Sequence, residues 1–342
     1  MKIAVDAMGG DFAPLEMVLG AIDAVHAFPH MTIVLVGDEA QIHKVLEEHG
    51  EANNDRIEIQ HASEVIEMNE HPGIALRKKK DASIVVATRL VREKKCDAII
   101  APGSTGAAVA AALFGLGRIK GIDRPMIATP IPTPKGVTVM LDSGANANCK
   151  PKHLVQGAIM GYEYARLMFG KEHPTVGLLN IGEESTKGNE VVLATYPLLE
   201  QLKNIPFKGN VEGRDIPKGT VDVVVCDGFV GNVVLKFAEG LVGVVTQLVR
   251  EGIKDGGILA KLGALLMLPV FRKIKHRLDH TENGGAPLLG VNGVFLISHG
   301  SSKAKEIFTA IKIAGNLVDN KIIENIQHSI EEEGAIKYDD VD

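Results

Sequence analysis

The sequence predicts an α/β protein built as a three-layer, Rossmann-like open sheet with a cleft at the carboxyl ends of its strands. Two observations carry this. Apolar strand-like runs alternate with helical stretches along nearly the whole chain. A single kind of junction also recurs: an apolar run, a tight loop of Gly, Asp, Asn and Ser, then a helix. It occurs near Asp6 (KIAVDAMGGD), Thr105 (AIIAPGSTGA), Asp142 (VTVMLDSGAN), Lys187 (VGLLNIGEESTKGNE), Asp227 (VDVVVCDGFVGN) and His299 (GVFLISHGSS). Such loops border the ligand crevice of open α/β sheets. Their glycines let backbone amides approach an anion, and the next helix offers its positive end. Six of them on one sheet edge predict an anion-handling cleft.

Taken in order, Met1 to Asp6 reads directly as a strand, with no signal peptide expected ahead of it. A helix follows near Leu15 to Ala27, then the strand TIVLVGD, a helix near Ala40 to His49, and the short strand RIEIQHA. Asp97 to Pro102 is apolar and β-prone, and the Ala- and Gly-rich stretch Thr105 to Leu116 suits a helix packed closely on a sheet. Four prolines between Pro125 and Pro134 mark a crossing loop or sheet-edge element, and a lobe boundary. Pro151 opens a helix through Met168 from the favoured first-turn position. Ile258 to Leu278 is apolar, and Pro269 is expected to break it into two helices of a hairpin near 251–280, too short and interrupted to span a bilayer. Residues 1–330 are expected to form a single unit of two lobes around the cleft, and 331–342 an acidic tail. The closing segment from Ser329 is expected to fray into solvent.

Composition narrows the function. With 342 residues, 45% hydrophobic and 23% charged, the chain is an ordinary globular one. A net charge of −6 speaks against general nucleic-acid binding. Three scattered cysteines, Cys96, Cys149 and Cys226, fit neither a disulfide framework nor a zinc site, and point to a reducing cytoplasm. No GxGxxG turn is present, and Gly182 to Gly188 encloses five residues rather than the four of a Walker loop, with Asn189 in place of Lys. Nucleotide binding is therefore disfavoured. A small anion such as phosphate, held by amides, hydroxyls and a lysine, fits the loops.

The segments DAMGGD (6–11), EHPGIALRKKKDAS (70–83), STGA (104–107), GIDRP (121–125), DSGANANCKPKHLVQGAIMG (142–161), LLNIGEE (178–184), KGNE (187–190), CDGFVGNVVLK (226–236), GGAPLLG (284–290) and SHGSS (298–302) resemble the phosphate acyltransferase family of bacterial phospholipid synthesis. Ser104, Asn148 and Ala82 stand where that family commonly has Asn, Asp and Ser. The resemblance implies transfer of a fatty acyl group from acyl carrier protein to inorganic phosphate, giving acyl phosphate for glycerol-3-phosphate acylation. It also implies a homodimer related in fold to phosphotransacetylases and isocitrate dehydrogenases, with no metal or organic cofactor. A phosphotransacetylase-like enzyme using acyl coenzyme A and a non-catalytic scaffold binding the carrier protein are the alternatives.

Phosphate attack on a thioester needs the phosphate held, the tetrahedral oxyanion stabilised and the thiol protonated. Lys187 and Asn232, in loops of two strands, are expected to meet across the cleft on the phosphate or oxyanion. Asp142 and Asp227 either orient these groups, accept a proton or cap helices. His299 is a candidate proton donor to the thiolate. Asp6, Gly9, Gly10, Ser104, Thr105, Gly106, Asn146, Asn180, Gly228, Gly231 and Ser301 are candidate phosphate or substrate binders. Cys149 and Cys226 read as inert thiols. Arg77, Lys79 and Lys80, with Lys78, form a basic run that would steer an acidic carrier protein. Leu265, Leu266, Arg272 and Lys273 are expected to place a hairpin tip on an anionic membrane surface at the inner face of the cell membrane. A membrane glycerol-3-phosphate acyltransferase would be the downstream partner.

Overall fold

A computed structural model describes residues 1–278 and 284–333. Its strands are β1 (Lys2–Asp6), β2 (Thr32–Gly37), β3 (Ile57–His61), β4 (Ala98–Pro102), β5 (Met126–Ile127), β6 (Thr129–Thr133), β7 (Gly136–Leu141), β8 (Val176–Asn180), β9 (Phe207–Glu212), β10 (Val223–Val225), β11 (Ala286–Leu289) and β12 (Val294–Ser298). They form two sheets rather than one. Seven strands run in the order β3-β2-β1-β4-β12-β11-β5, and five in the order β6-β7-β10-β8-β9. The pairings β3-β2, β2-β1, β1-β4 and β4-β12 are parallel, as are β7-β10, β10-β8 and β8-β9, whereas β11 and β6 pair antiparallel. Parallel strands are buried on both faces, which is why AIIAP and VFLIS read as unbroken apolar runs.

Helices cover the sheets: α1 (Leu15–Ala27), α2 (Glu39–Glu48), α3 (Pro72–Lys78), α4 (Ser83–Arg92), α5 (Thr105–Gly115), α6 (Pro151–Phe169), α7 (Glu190–Leu199), α10 (Ala304–Asp319) and α11 (Ile322–Glu333). Side chains fix several starts. Asp38 accepts from Gln41 N at 3.0 Å, and Asn189 from Val192 N at 2.9 Å. The largest core runs from Ile3 and Leu35 on the first sheet, through Val155 and Ile159 of α6, to Leu178 and Val225 on the second. α6 thereby joins the two lobes, and the proline-rich stretch supplies the edge strand of each sheet, β5 and β6.

Two helices stand apart. α8 (Gly228–Asp255) and α9 (Gly257–Leu278) form an arm turned at Gly257, whose φ of +71° favours glycine. The expected break at Pro269 does not occur; α9 runs through it. The carbonyl of Leu265 that loses its amide partner belongs to a residue 61% exposed, so water can replace the bond. The hairpin is accordingly larger than 251–280, and Leu265 and Leu266 lie along an arm, not at the turn.

The end of the chain also differs from the expectation of fraying at Ser329. Its hydroxyl donates to Glu163 Oε1 at 2.7 Å, and the buried Glu333 carboxylate accepts from Lys203 N and Asn204 N. The remainder of the acidic tail, 334–342, lies outside the described residues.

Candidate functional site

The six polar loops divide evenly. Those after β1, β4 and β12 leave the first sheet, and those after β7, β8 and β10 leave the second.

In the first group, Asp6 is buried and accepts from Met8 N and Gly9 N, both at 3.1 Å. Burial pushes its carboxyl up to about 6, opposed by bonds from Ser83, Met8 and Gly9. Gly10 lies against the loop after β12, where Asp11 N donates to Gly300 O at 2.7 Å. Gly103 N donates to Ser298 O at 3.2 Å, drawing in the loop after β4. Ser104 caps α5 by accepting from Ala107 N, and Thr105 and Gly106 beside it are exposed. The first amides of a helix have no partner within it, so this turn is a donor site. Ser301, expected to bind phosphate, instead turns its hydroxyl to His299 Nδ1 at 2.7 Å, and its amide donates there at 3.2 Å. Those bonds hold the exposed imidazole in place.

In the second group, Asp142 is wholly buried and is the organiser. Its oxygens accept from Ile127 N, Gly144 N, Ala145 N, Asn146 N and Asn146 Nδ2 at 2.8–3.1 Å. Burial raises its carboxyl above the usual range although these donors favour the charge. Asn146 Nδ2 also donates to Pro125 O at 2.6 Å. The expected anion-binding role of Asn146 is thereby corrected, since its amide hydrogens are committed to the loop. Because Ile127 belongs to β5, this node ties the second sheet's loop to the edge of the first.

Asp227 caps α8, accepting from Val230 N at 2.8 Å, and Gly228 N donates to Asn146 O at 2.8 Å. Gly231 admits no substitute: a Cβ there would lie 1.9 Å from Asp142 O. Cys226 Sγ donates to that same carbonyl at 3.6 Å. Burial first, then the charges of Asp142 and Asp227, push the thiols of Cys226 and Cys149 up, the latter to about 12, so neither is a nucleophile near neutral pH. Asn232, exposed, borders Gly144.

The loop after β8 folds on itself. Asn180 Nδ2 donates to Lys187 O at 2.9 Å and its Oδ1 accepts from Ile181 N, so Asn180 shapes the loop rather than offering a free donor. Lys187 is exposed. β8 and β10 are neighbours in one sheet, so Lys187 and Asn232 share a side of the site instead of meeting across it.

Glu183, Glu212 and Asp215 form the one carboxylate group among the described residues whose oxygens lie within 4.8 Å of one another. Arg214 pairs with Glu212 and Lys218 with Asp215, so the chain's own cations already occupy it.

Outside the loops, Arg77 and Lys78 end α3 exposed, whereas Lys79 Nζ is committed to Glu70 at 2.6 Å and Val65 O at 2.7 Å. Leu265 and Leu266 are 61% and 83% exposed. Arg272 and Lys273 are exposed as well; the side chains of Lys275 and Arg277, completing that basic cluster, lie outside the described residues. The sequence reading passed over α8, which is long and apolar enough by length and composition to cross a membrane, with 11% of that window buried. Only Gly228 and Gly231 of α8 are buried. The legible signal was its 28 residues without a proline, in which Lys236 and Glu239 are the only charges between Gly228 and Val249.

The fold is that of two solved phosphotransacetylases. One from Streptococcus pyogenes superposes with a TM-score of 0.61 at 16% identity, covering 97% of this chain and 94% of that one. The EutD phosphotransacetylase from Staphylococcus aureus gives 0.60 at 15% identity, covering 95% and 94%. Closer in sequence, the phosphate acyltransferase of Pelotomaculum thermopropionicum is 55% identical over 332 residues, 97% of this chain and 95% of its own length. That of Desulfitobacterium hafniense is 54% identical over 331 residues, covering 96% and 98%. The profile of the family described as "Fatty acid synthesis protein" matches residues 1–325. From end to end of its two sheets, then, this chain is a member of that fatty acid synthesis family, alongside its phosphate acyltransferases.

Proposed function

We propose that the chain transfers a fatty acyl group from acyl carrier protein to inorganic phosphate, releasing acyl phosphate and the free carrier thiol. The observation that carries this reading is what the loops leave over. The three strand-end aspartates are spent on backbone amides, the thiols near them are held neutral, and the amides at the start of α5, with Lys187, Asn232 and His299, remain exposed. Such a set holds an anion and has no nucleophile of its own, so phosphate itself attacks.

A phosphate oxygen forms the bond to the thioester carbonyl carbon. The carbonyl becomes a tetrahedral oxyanion, which amides and Asn232 stabilise. The C–S bond then breaks. The proton carried by hydrogenphosphate ends on the sulfur, with His299 placed to relay it. Lys187 balances the phosphate charge as a point cation.

The arm supports two further parts of the reading. Phe229, Phe237, Leu241 and Leu248 of α8 are each at least 50% exposed, an apolar face a monomer in water does not leave open. A second copy of the chain covers α8 in this proposal, making a homodimer. The α9 flank of the arm, from Ile258 to Leu266 with the cations near Arg272, lies on the inner, anionic membrane surface. An otherwise cytoplasmic enzyme would there hand acyl phosphate to a membrane glycerol-3-phosphate acyltransferase.

The test is phosphate-dependent release of free carrier protein from palmitoyl carrier protein, with acetyl coenzyme A as the comparison donor. Turnover of the first and little of the second is expected. Equal turnover of both would replace the reading with a phosphotransacetylase, and no phosphate dependence with either would end it.

A further inference from the structure

Away from the loops, the surface between α3, α4 and α5 opens into a cavity of about 260 Å³. Leu76, Val85 and Ala111 line it with apolar surface, and Phe114, which also lines it, is 70% exposed. Lys80, Arg89 and Arg92 complete the lining, all three exposed, and no carboxylate does. The acids next to these residues in sequence do not line it: Asp81 accepts from the Ser63 amide and hydroxyl, and Glu93 pairs with Lys95 at 2.8 Å, while both feel the charge of Arg89 more weakly. An apolar slot whose charged lining residues are all cations thus stands on a chain whose net charge is −6.

The slot is tied to the site by the helices that build it. α5 begins at its Ser104 cap, in the phosphate-facing loop, and reaches the slot at Phe114. Ten residues of helix separate them, about 15 Å at the helical rise. α3 runs beside it, with Pro72 at its start close enough to Gly106 that a Cβ there would sit 3.1 Å from the proline ring. At the other end α4 and α5 touch so closely that a Cβ on Gly115 would lie 2.4 Å from Thr88 Cγ2. The slot is therefore held at a fixed distance from the donor amides.

From this we infer that the α3-α4-α5 slot is the docking surface for the acidic protein that carries the acyl thioester. An exposed apolar side chain of the carrier fills the slot, carboxylates around it meet Lys80, Arg89 and Arg92, and the carrier's extended prosthetic arm spans the length of α5 to the loops. The inference rests on the acyl-transfer reading for the identity of the carrier. It shifts the contact expected at Arg77, Lys79 and Lys80, keeping Lys80 but replacing the engaged Lys79 with cations of α4.

The experiment compares the parent with Arg89→Glu/Arg92→Glu and with Phe114→Asp, all surface changes outside the loops. Two donors are used, palmitoyl acyl carrier protein and palmitoyl pantetheine. Both variants should raise KM for the carrier-bound donor by about tenfold or more, with kcat little changed, and leave the pantetheine thioester within about twofold. Added salt should weaken the parent on the carrier-bound donor alone. Unchanged KM for the carrier, or equal losses on both donors, would overturn the proposal. Titration of unacylated carrier protein separates this from the chemistry. If the parent cleaves neither donor with phosphate yet binds the carrier and the variants do not, the acyl-transfer reading falls and the docking surface stands. Sedimentation with anionic vesicles is the last arm. Variants that lose vesicle binding and keep carrier kinetics would assign the slot to lipid and overturn the proposal.

Discussion

The Asp142 node and the α8-α9 arm meet at Gly231, and they are opposites. In the node every oxygen of a buried carboxylate is satisfied and the backbones touch; nothing there waits for a partner. In the arm, apolar side chains such as Leu248, Leu259 and Leu266 stand 61–83% exposed, with no layer of the described residues over them. The difference teaches that the fold satisfies its polar node internally and leaves an apolar surface on the arm uncovered by the described residues. Substitutions in the node should therefore be expensive in stability, and substitutions in the arm cheap.

The sharpest way to break that comparison is Gly231→Val. Its Cβ would collide with Asp142 O, a backbone atom that cannot move without undoing the node. Overpacking of this kind costs about 1–3 kcal/mol or more. Loss of activity with a marked fall in Tm is expected in thermal melts. A variant as stable as the parent would mean that the node tolerates movement.

Next come Lys187→Ala and Asn232→Ala, which touch the exposed part of the site and not the node. Removing one preorganised donor typically costs about 2.7–4 kcal/mol in the transition state, roughly a hundred- to a thousandfold in rate. Tm should hold while kcat collapses. Rates within a few fold of the parent would place the chemistry in the first-sheet loops.

Much of this was legible beforehand. Asp6, Asp142 and Asp227 announced strand-to-helix junctions, because a short side chain that accepts from the amides two or three residues on is what such a turn needs. Their division between two sheets was not legible. Strand order is set by pairings such as β4 with β12, nearly two hundred residues apart and without a local signature. Asn146 and Asn180 read in sequence as ligand-binding groups because an amide in a polar loop looks the same whether its hydrogens face a ligand or Pro125 O. Pro269 differs for another reason: an interior proline loses one hydrogen bond and clashes with the preceding turn, which a long helix can carry as a kink as well as a break, and α9 runs through it.

Asp6 offers a smaller, graded test of the first-sheet loops. Its folded-state carboxyl is raised to about 6 from 3.8, so folding favours the protonated form. The stability this group contributes is fully present below about pH 4 and is lost as pH rises through about 6. Its size is on the order of 3 kcal/mol. Asp6→Asn, which keeps an oxygen for the Met8 and Gly9 amides, should flatten the Tm profile between those values. A profile with the parent's slope would mean that the carboxyl titrates normally.

The smallest effect on stability is expected for Leu265→Glu/Leu266→Glu on the arm. Exposed leucines have no packing to lose, so Tm and turnover of soluble carrier protein should match the parent while sedimentation with anionic vesicles fails. A falling Tm with loss of the dimer would show that a second copy, not lipid, covers this stretch.

α8 is one continuous helix from Gly228, against the Asn146 backbone and the Asp142 carboxylate, to Asp255 at the turn, about 42 Å at the helical rise. A single rod therefore has one end clamped in the Asp142 node and the other at the distal turn. The heading of the strand-end loops relative to that turn is set by the direction of one axis, as a compass needle is set by its pivot. Lengthening α8 by two residues would swing the distal arm by about 200° around that axis and leave the site itself untouched.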